Sequence, residues 1–441
     1  MSKGPTNSTV GYLPNERPSW GKLILFAFQQ VLVMFPATVL VALLTGFHVS
    51  TTIFASGFAT LCFLAVTRGK LPLYYGSSFS YITAIVGITG ATFGQVAADE
   101  KIQIAQFGII CSGLISIAAG LLVNLLGNNI VEKVLPPTIT GSIALIIGVS
   151  LFGTAMQSAF LNNGTPDNSY VIVALVTVLS TVGFSVYLKK GVLSQIPILL
   201  GILVGYVVSI PFGLIDFGAI WSGTVVSAPH FTLPKPNLAA VFAIMPIALA
   251  TIPESSAHLF QLDLYVNKLA EEKGKKGEYK ISDKLGLNLI GDGIGDIASA
   301  MFGGPAGTNY GENLSTMAIT KNFSVWVLGG AAVLSVLLSF ITPLSNIVNS
   351  VPGPVINGAC IFLFGVIGAQ GIAIIVDKKV DLFDARNLAV IAVTLTVGIG
   401  GHFGFAGGMI PAFGLQMPAI ATASIVGIAL NLLLSIGKKK D

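Results

Sequence analysis

From Leu23 to Ile436 the chain alternates long apolar runs with short polar breaks. A transmembrane helix needs about 20 mostly apolar residues. Runs of that kind place approximate spans at 22–45, 50–67, 73–94, 104–128, 137–156, 169–188, 194–213, 237–262, 284–303, 308–320, 324–345, 352–375, 387–404 and 414–436. The pattern therefore predicts an all-α polytopic membrane protein of 14 spans. A β-barrel would show alternating segments of about 10 residues with one polar face, whereas Val171–Val182 and Leu388–Val397 are apolar nearly all round. The first run follows a polar leader of about twenty residues and has no small-residue cleavage pattern, so it reads as a retained helix rather than a signal peptide. The one long charged break, Lys268–Lys284, reads as a solvated loop.

Composition agrees with that pattern. Of 441 residues 53% are hydrophobic and 10% charged, and the mean hydropathy of +0.84 places the chain in lipid with no room for a separate soluble domain. The 51 glycines would cost about 1 kcal/mol each inside soluble helices; in a bilayer they read as close-packing sites and helix breaks. Cys62, Cys111 and Cys360 lie in apolar runs without metal-ligand spacing and read as small buried hydrophobes, so neither metal nor cofactor is expected. Cytoplasmic loops collect lysine and arginine. With both termini inside, 21 of the 23 basic residues fall on the cytoplasmic side: Lys3, Arg17, Lys22, Arg68, Lys70, Lys133, Lys189, Lys190, the lysines of the charged break, Lys321, Lys378, Lys379, Arg386 and Lys438–Lys440. Only Lys101 and Lys235 remain outside.

Dividing the spans equally puts the boundary in the external stretch Asp216–Pro236. Seven is odd, so a second half repeating the first must be inserted with opposite polarity, the inverted-repeat architecture of many secondary transporters. The halves correspond faintly, GSSFSYITAI at Gly76–Ile85 facing GENLSTMAIT at Gly311–Thr320. Two segments in the third and tenth spans, Pro72–Tyr81 and Gly303–Asn313, are rich in helix breakers. Irregular backbone at membrane depth is tolerated only where it is buried in protein or lines a cavity, and a matched pair of such breaks points to a central binding site. A half-helix starting after each break would aim N–H donors into that site.

Four acidic residues, Glu254, Asp292, Asp296 and Glu312, fall within apolar or broken segments. A carboxyl there costs on the order of 3 kcal/mol, so it normally faces a cavity or a partner. Glu254 and His258 are four apart and share a helix face. Histidine titrates in the physiological range, so the two form either a proton-exchanging pair or a structural one. Glu312, after Tyr310-Gly311, could accept hydrogen bonds from ligand N–H groups, and Phe79 could stack on a planar ring or simply pack. Asp292 and Asp296, one helical turn apart, read as ties between helices or as ligand contacts. His48, His230 and His402 lie at span ends or in outside loops and read as ordinary interfacial residues.

These residues resemble the nucleobase–ascorbate transporters, the nucleobase:cation symporter-2 family, and within it the bacterial uracil permeases. The resemblance runs from Phe28-Gln-Gln-Val to the last span; its specific parts are Gly76-Ser-Ser-Phe-Ser, Pro253-Glu254-Ser-Ser-Ala-His258, and Thr308 to Lys321. It implies two inverted seven-span repeats, with spans 3 and 10 beginning as short antiparallel strands. Residues 1–265 would hold the first repeat plus span 8 (spans 1–4 and 8 core, 5–7 gate), 266–284 a charged cytoplasmic loop, and 285–441 the rest (spans 9–11 core, 12–14 gate). Carried over by position, Phe79, Glu254, Tyr310, Gly311 and Glu312 contact substrate. Glu254 and His258 couple to protons, and Gln30, Ser78, Asp292 and Asn313 support the site. The sequence departs from the family pattern at Gln29-Gln30, where Gln-His is frequent, at Ser315 for a signature glycine, and at Phe364 for a tyrosine.

The expectation is therefore a symporter, not an enzyme, carrying uracil with a proton across the inner membrane. It would be a multi-pass homodimer with cytoplasmic termini, and no nucleic acid partner is expected. The rival within the family is a purine (xanthine or urate) symporter, since Asp292 matches an aspartate found in many purine-type members. From other classes the rivals are an anion exchanger or channel on the same fold, and a membrane-embedded enzyme, for which no HExxH, GxSxG or Walker pattern is present.

Overall fold

The structure, a computed structural model, describes residues 11–162, 164–188, 192–275, 277, 279–412 and 415–436. Lys3, Lys189, Lys190, Lys276 and Lys438–Lys440, which enter the charge argument above, lie outside the described residues. Among the described residues, 8 helices are long and apolar enough to cross a membrane: Trp20–Thr45, Val49–Val66, Asp99–Leu126, Pro137–Phe160, Asn168–Tyr187, Leu238–Glu272, Gly353–Asp377 and Ala385–Gly404. Shorter apolar helices occupy Phe79–Thr89, Pro197–Ser209, Val325–Leu338 and Ala419–Leu433, and Leu285–Met301 and Gly311–Thr320 are helical as well. The protein is a multi-pass membrane protein.

Helix ends follow local chemistry. Trp20–Thr45 stops where Gly46 takes a left-handed φ of 76° and returns its N–H to the Ala42 carbonyl. Pro137–Phe160 starts with proline in the first turn, where a missing N–H costs nothing.

The helices pair in two groups. In one, Leu285–Met301 packs on Asp99–Leu126 and on Val49–Val66, while Val325–Leu338 packs on Val49–Val66 and on Trp20–Thr45. The Leu238–Ile244 segment joins this group through Asp99–Leu126. In the other, Pro137–Phe160 packs on Gly353–Asp377, Asn168–Tyr187 on Pro197–Ser209 and Gly353–Asp377, and Ala385–Leu395 on Ala419–Leu433 and Pro137–Phe160. The closest crossings run through facing glycines. A Cβ on Gly113 would lie 2.5 Å from the Gly293 carbonyl, and one on Gly148 2.4 Å from the Gly368 nitrogen. With no hydrophobic drive between helices in lipid, this backbone proximity supplies the van der Waals contact that holds them together.

Three stretches differ from the hydropathy reading. The eighth span, expected to end near 262, continues to Glu272, because Leu259, Leu262, Val266, Leu269 and Ala270 bury one helical stripe. The charged segment expected as a loop from 266 therefore begins as helix, and its return is fixed by Asp263 Oδ1 accepting the Ile281 and Ser282 N–H groups at 3.0 Å each. The fourteenth, expected from 414, begins as a hairpin of Met409–Ala412 with Leu415–Pro418. Its helix starts only at Ala419, because Pro418 at the N-cap holds the preceding residues extended. The thirteenth is interrupted by a π turn at Thr396–Gly400.

At the centre, strand Tyr75–Ser77 pairs antiparallel with strand Gly307–Asn309, in the register Tyr75 to Asn309, Gly76 to Thr308 and Ser77 to Gly307. Each strand runs into a short helix, Phe79–Thr89 and Gly311–Thr320. Antiparallel pairing sends these helices away in opposite directions, their first turns about 10 Å apart along a ribbon rising roughly 3.4 Å per residue.

Candidate functional site

The strand pair forms because proline and glycine break the helix while aromatic residues favour extended backbone. Side chains around it then lock the crossing. Tyr75 donates to Asp296 at 2.5 Å, and the Gly307 N–H reaches the same carboxyl oxygen at 2.8 Å. Ser56 and Thr60 donate to the Tyr75 carbonyl at 2.9 and 3.0 Å. Tyr310 lies over Gly76, its hydroxyl 2.9 Å from the Thr38 hydroxyl and donating to the Ser77 carbonyl at 3.1 Å.

Gly76 must be glycine. A Cβ there would lie 2.2 Å from the Tyr310 ring.

A polar network sits beside the ribbon. Ser255 donates to Asp292, Asn288 donates to Ser255 Oγ at 2.7 Å, and Asn309 reaches Ser255 Oγ at 3.2 Å and Asn288 Oδ1 at 3.1 Å. Asp292 and Asp296 therefore face different partners, the first the Ser255 helix and the second the strands. Asn313 donates to the Gln30 carbonyl at 2.9 Å and its side-chain oxygen at 2.7 Å, tying the second short helix to the first span. Ser78 caps the other short helix by accepting from the Ser80 N–H at 3.3 Å.

The helix Ala248–Glu272, which carries Glu254, packs on Gly311–Thr320, which carries Glu312 in its first turn. Ser80 Oγ is 3.4 Å from Glu254 Oε2, so Glu254 meets the first short helix and not His258. The His258 ring instead faces Gly311: a Cβ on that glycine would lie 2.8 Å from Nε2, while Nδ1 is buried without a hydrogen-bond partner. Phe79 packs edge-on to Phe364, with centroids 6.1 Å apart and planes at 75°. Phe79, Glu254, His258, Gly311 and Glu312 are all partly exposed, although each has a buried residue on at least one side in sequence. Around Glu312 the reason is a cavity of about 600 Å³ walled by Phe35, Ile198, Tyr206, Ser315 and Leu363. It lies between the first span with the Gly311–Thr320 helix on one side and the Pro197–Ser209 and Gly353–Asp377 helices on the other.

The structure thus gathers Phe79, Ser80, Glu254, His258, Gly311 and Glu312 around the two short helix starts, and leaves Gln30, Ser78, Asp292, Tyr310 and Asn313 in the scaffold behind them. Sequence reasoning missed Ser80, Ser255, Asn288 and Thr38. Ser80 and Ser255 sit inside the motifs that carry the resemblance, next to Phe79 and Glu254. Asn288 and Thr38 carry no signal beyond being polar in an apolar run.

Comparison with known proteins points the same way. A family profile described as "Permease family" (Xan_ur_permease) matches residues 21–407. The chain is 35% identical to the uracil permease of Bacillus caldolyticus over 95% of its own length and 93% of that protein. It is 32% identical to the uracil permease of Bacillus subtilis over 100% of its length and 98% of that protein. In fold it resembles a structure of SLC26A9, with a TM-score of 0.65 and 11% identity, covering 94% of this chain and 64% of that one. It also resembles the murine Slc26a9 anion transporter, with a TM-score of 0.67 and 12% identity, covering 99% of this chain and 73% of that one. The chain spans 64% of the first of these longer proteins, and at such identities the likeness speaks for the fold alone. A profile that covers most of the chain, together with relatives alike over its whole length, makes this protein a member of the permease family.

Proposed function

We propose that this protein is a nucleobase:cation symporter that takes up uracil with protons across the inner membrane. The observation that carries this reading is the placing of Glu254 at Ser80, where the first short helix starts, and of Glu312 in the first turn of the second, beside a large apolar cavity. Uracil alternates N–H donors and carbonyl acceptors around a flat ring. The carboxylates suit its N–H groups. The Gly311–Thr320 helix, whose N-cap Tyr310 makes no side-chain cap, has free N–H donors for a carbonyl. Phe79 offers a ring face for stacking, and the relatives named above are uracil permeases.

Proton coupling runs through Glu254 and His258 in this reading. They sit one turn apart on the same helix, and histidine is the side chain whose ordinary titration range suits proton exchange.

The spans form two inverted seven-helix repeats, core and gate, with the boundaries given above, cytoplasmic termini and a homodimer through the gate. The pairings support the repeat. Shifting every span by seven turns the fourth-with-ninth contact into eleventh-with-second, sixth-with-seventh into thirteenth-with-fourteenth, and sixth-with-twelfth into thirteenth-with-fifth, and each shifted pair occurs. The fold neighbours' anion chemistry does not transfer, because two carboxylates beside the short helix starts repel an anion.

Uptake of radiolabelled uracil into proteoliposomes under an inward proton gradient, a sodium gradient or neither tests the proposal, with Glu254→Gln and Glu312→Gln alongside the wild type. Accumulation driven by protons and lost in both variants is expected. No uracil accumulation under any gradient overturns it, and competition by xanthine but not uracil moves the assignment to purines.

A further inference from the structure

On the opposite side from the cytoplasmic lysine loops, three segments far apart in sequence bring His48, Asp99 and His230 together, and the proposed transport uses none of them. His48 is the N-cap of Val49–Val66, Asp99 opens Asp99–Leu126, and His230 belongs to the extended stretch before Leu238. His230 Nε2 is 2.8 Å from Asp99 Oδ2, His48 Nε2 is 3.7 Å from Asp99 Oδ1, and one ligand atom from each residue lies within 4.8 Å of the others. The two imidazole rings have centroids 4.4 Å apart.

A histidine–aspartate hydrogen bond accounts for His230 but not for His48. His48 Nε2 is buried and has no hydrogen-bond partner, 3.7 Å being beyond hydrogen-bond reach, yet it points at the carboxylate. A buried nitrogen left unpaired normally has a missing partner. Two imidazoles crowding one carboxylate are the donor set of a divalent metal ion.

We propose that His48, Asp99 and His230 bind a divalent transition-metal ion, with zinc as the best fit. Two nitrogen donors and one carboxylate oxygen select zinc, nickel or copper over magnesium or calcium, which prefer all-oxygen shells. Ligand atoms about 2.0–2.1 Å from a tetrahedral zinc lie roughly 3.3 Å from one another. Here the three ligand atoms lie within 4.8 Å of one another, so binding an ion would draw them together. Asp99 and His230 are half exposed, 50% and 51%, leaving an entry path and a water-filled fourth position.

The supports are fixed. Thr51 Oγ1 donates to the His230 carbonyl at 2.7 Å, and Thr52 holds the His48 carbonyl through its N–H and its hydroxyl, both at 2.9 Å. Gln106 anchors the same external stretch through Thr232 at 2.8 Å. A bound ion would staple this stretch, which leads from Pro197–Ser209 to Leu238–Glu272, onto the helices Val49–Val66 and Asp99–Leu126.

The test uses full-length protein in detergent with any histidine tag removed, titrated with cobalt(II) as a coloured probe and then zinc. One visible ligand-field band saturating at one cobalt per chain is expected, bleached by zinc, together with a zinc-dependent rise in thermal unfolding temperature. His230→Gln, at a half-exposed position, should weaken both at least tenfold, its unchanged metal-free unfolding temperature showing that it is folded, and His48→Gln should weaken both likewise. Absence of the band and the shift in the wild type, or their survival in His230→Gln, overturns the proposal.

Discussion

Gly76→Ala is the sharpest probe of the central ribbon. A Cβ at Gly76 would stand 2.2, 2.3 and 2.8 Å from three atoms of the Tyr310 ring, where ordinary contact begins at 3.4 Å, so the ring must retreat by about 1.2 Å. Retreat is opposed because the ring hydroxyl is held by Thr38 at 2.9 Å and by the Ser77 carbonyl at 3.1 Å. Overpacking of this kind costs about 1–3 kcal/mol, and breaking the buried hydroxyl contacts adds about 1 kcal/mol or more. A loss of roughly 2–4 kcal/mol is therefore expected from one methyl group. Tyr310→Leu removes the two nearest ring atoms, so Gly76→Ala should cost much less in that background, a coupling of about 1–3 kcal/mol. Thermal unfolding of the four proteins in detergent measures the cycle, with uracil uptake alongside. Equal losses from Gly76→Ala in both backgrounds, or an unperturbed Gly76→Ala protein, would refute the reasoning.

Asp296→Ala strips the acceptor shared by the Tyr75 hydroxyl and the Gly307 N–H. It should destabilise by about 1–3 kcal/mol for each donor left unpaired, with Asp296→Asn losing less, read by the same unfolding assay. Phe79→Ala should raise the KM for uracil roughly ten- to hundredfold, since stacking a base on an aromatic ring contributes about 1–3 kcal/mol; an unchanged KM would remove Phe79 from the substrate contacts. Burial works to raise the Glu16 carboxyl, but the Lys273 hydrogen bond at 2.5 Å, the Leu13 N–H and the charges of Lys273 and Lys275 leave it below its ordinary value. A carboxyl lowered by folding stabilises above its unfolded value of about 4.3 and loses that contribution as pH falls through the folded one. Wild type should thus unfold at a higher temperature than Glu16→Gln at pH 7, and the gap should close below about pH 4.

Much of the architecture was readable because lipid leaves few options. Every backbone polar group in a bilayer must be satisfied within the segment, so long apolar runs had to be helices, and breaks such as Pro72–Tyr81 and Gly303–Asn313 had to be special. The same constraint made Glu254 and Glu312 visible, since a carboxyl in an apolar run is costly unless it faces a cavity or partner. The errors fall where local polarity and tertiary burial disagree. The charged stretch after 266 is polar in composition, yet its apolar stripe reaches Leu269 and Ala270 and finds a partner, so the helix continues. The hairpin before Ala419 is apolar enough to read as part of a span, and only its backbone conformation separates it.

By itself the sequence determined that this chain spans a membrane repeatedly, that Pro72–Tyr81 and Gly303–Asn313 interrupt its apolar runs, and which carboxyls fall within those runs and breaks. Those are consequences of local composition and of the bilayer as solvent. Only the tertiary structure decided that Glu254 approaches Ser80 while His258 turns to Gly311. It also decided that Asp292 and Asp296 serve different neighbours, and that His48, Asp99 and His230 meet at one point. Helical periodicity says which residues share a face, but not which face of another helix arrives opposite them. That is set by backbone approach at sites such as Gly113 with Gly293 and Gly148 with Gly368, where the absence of a side chain lets distant segments pack and so fixes every contact around them.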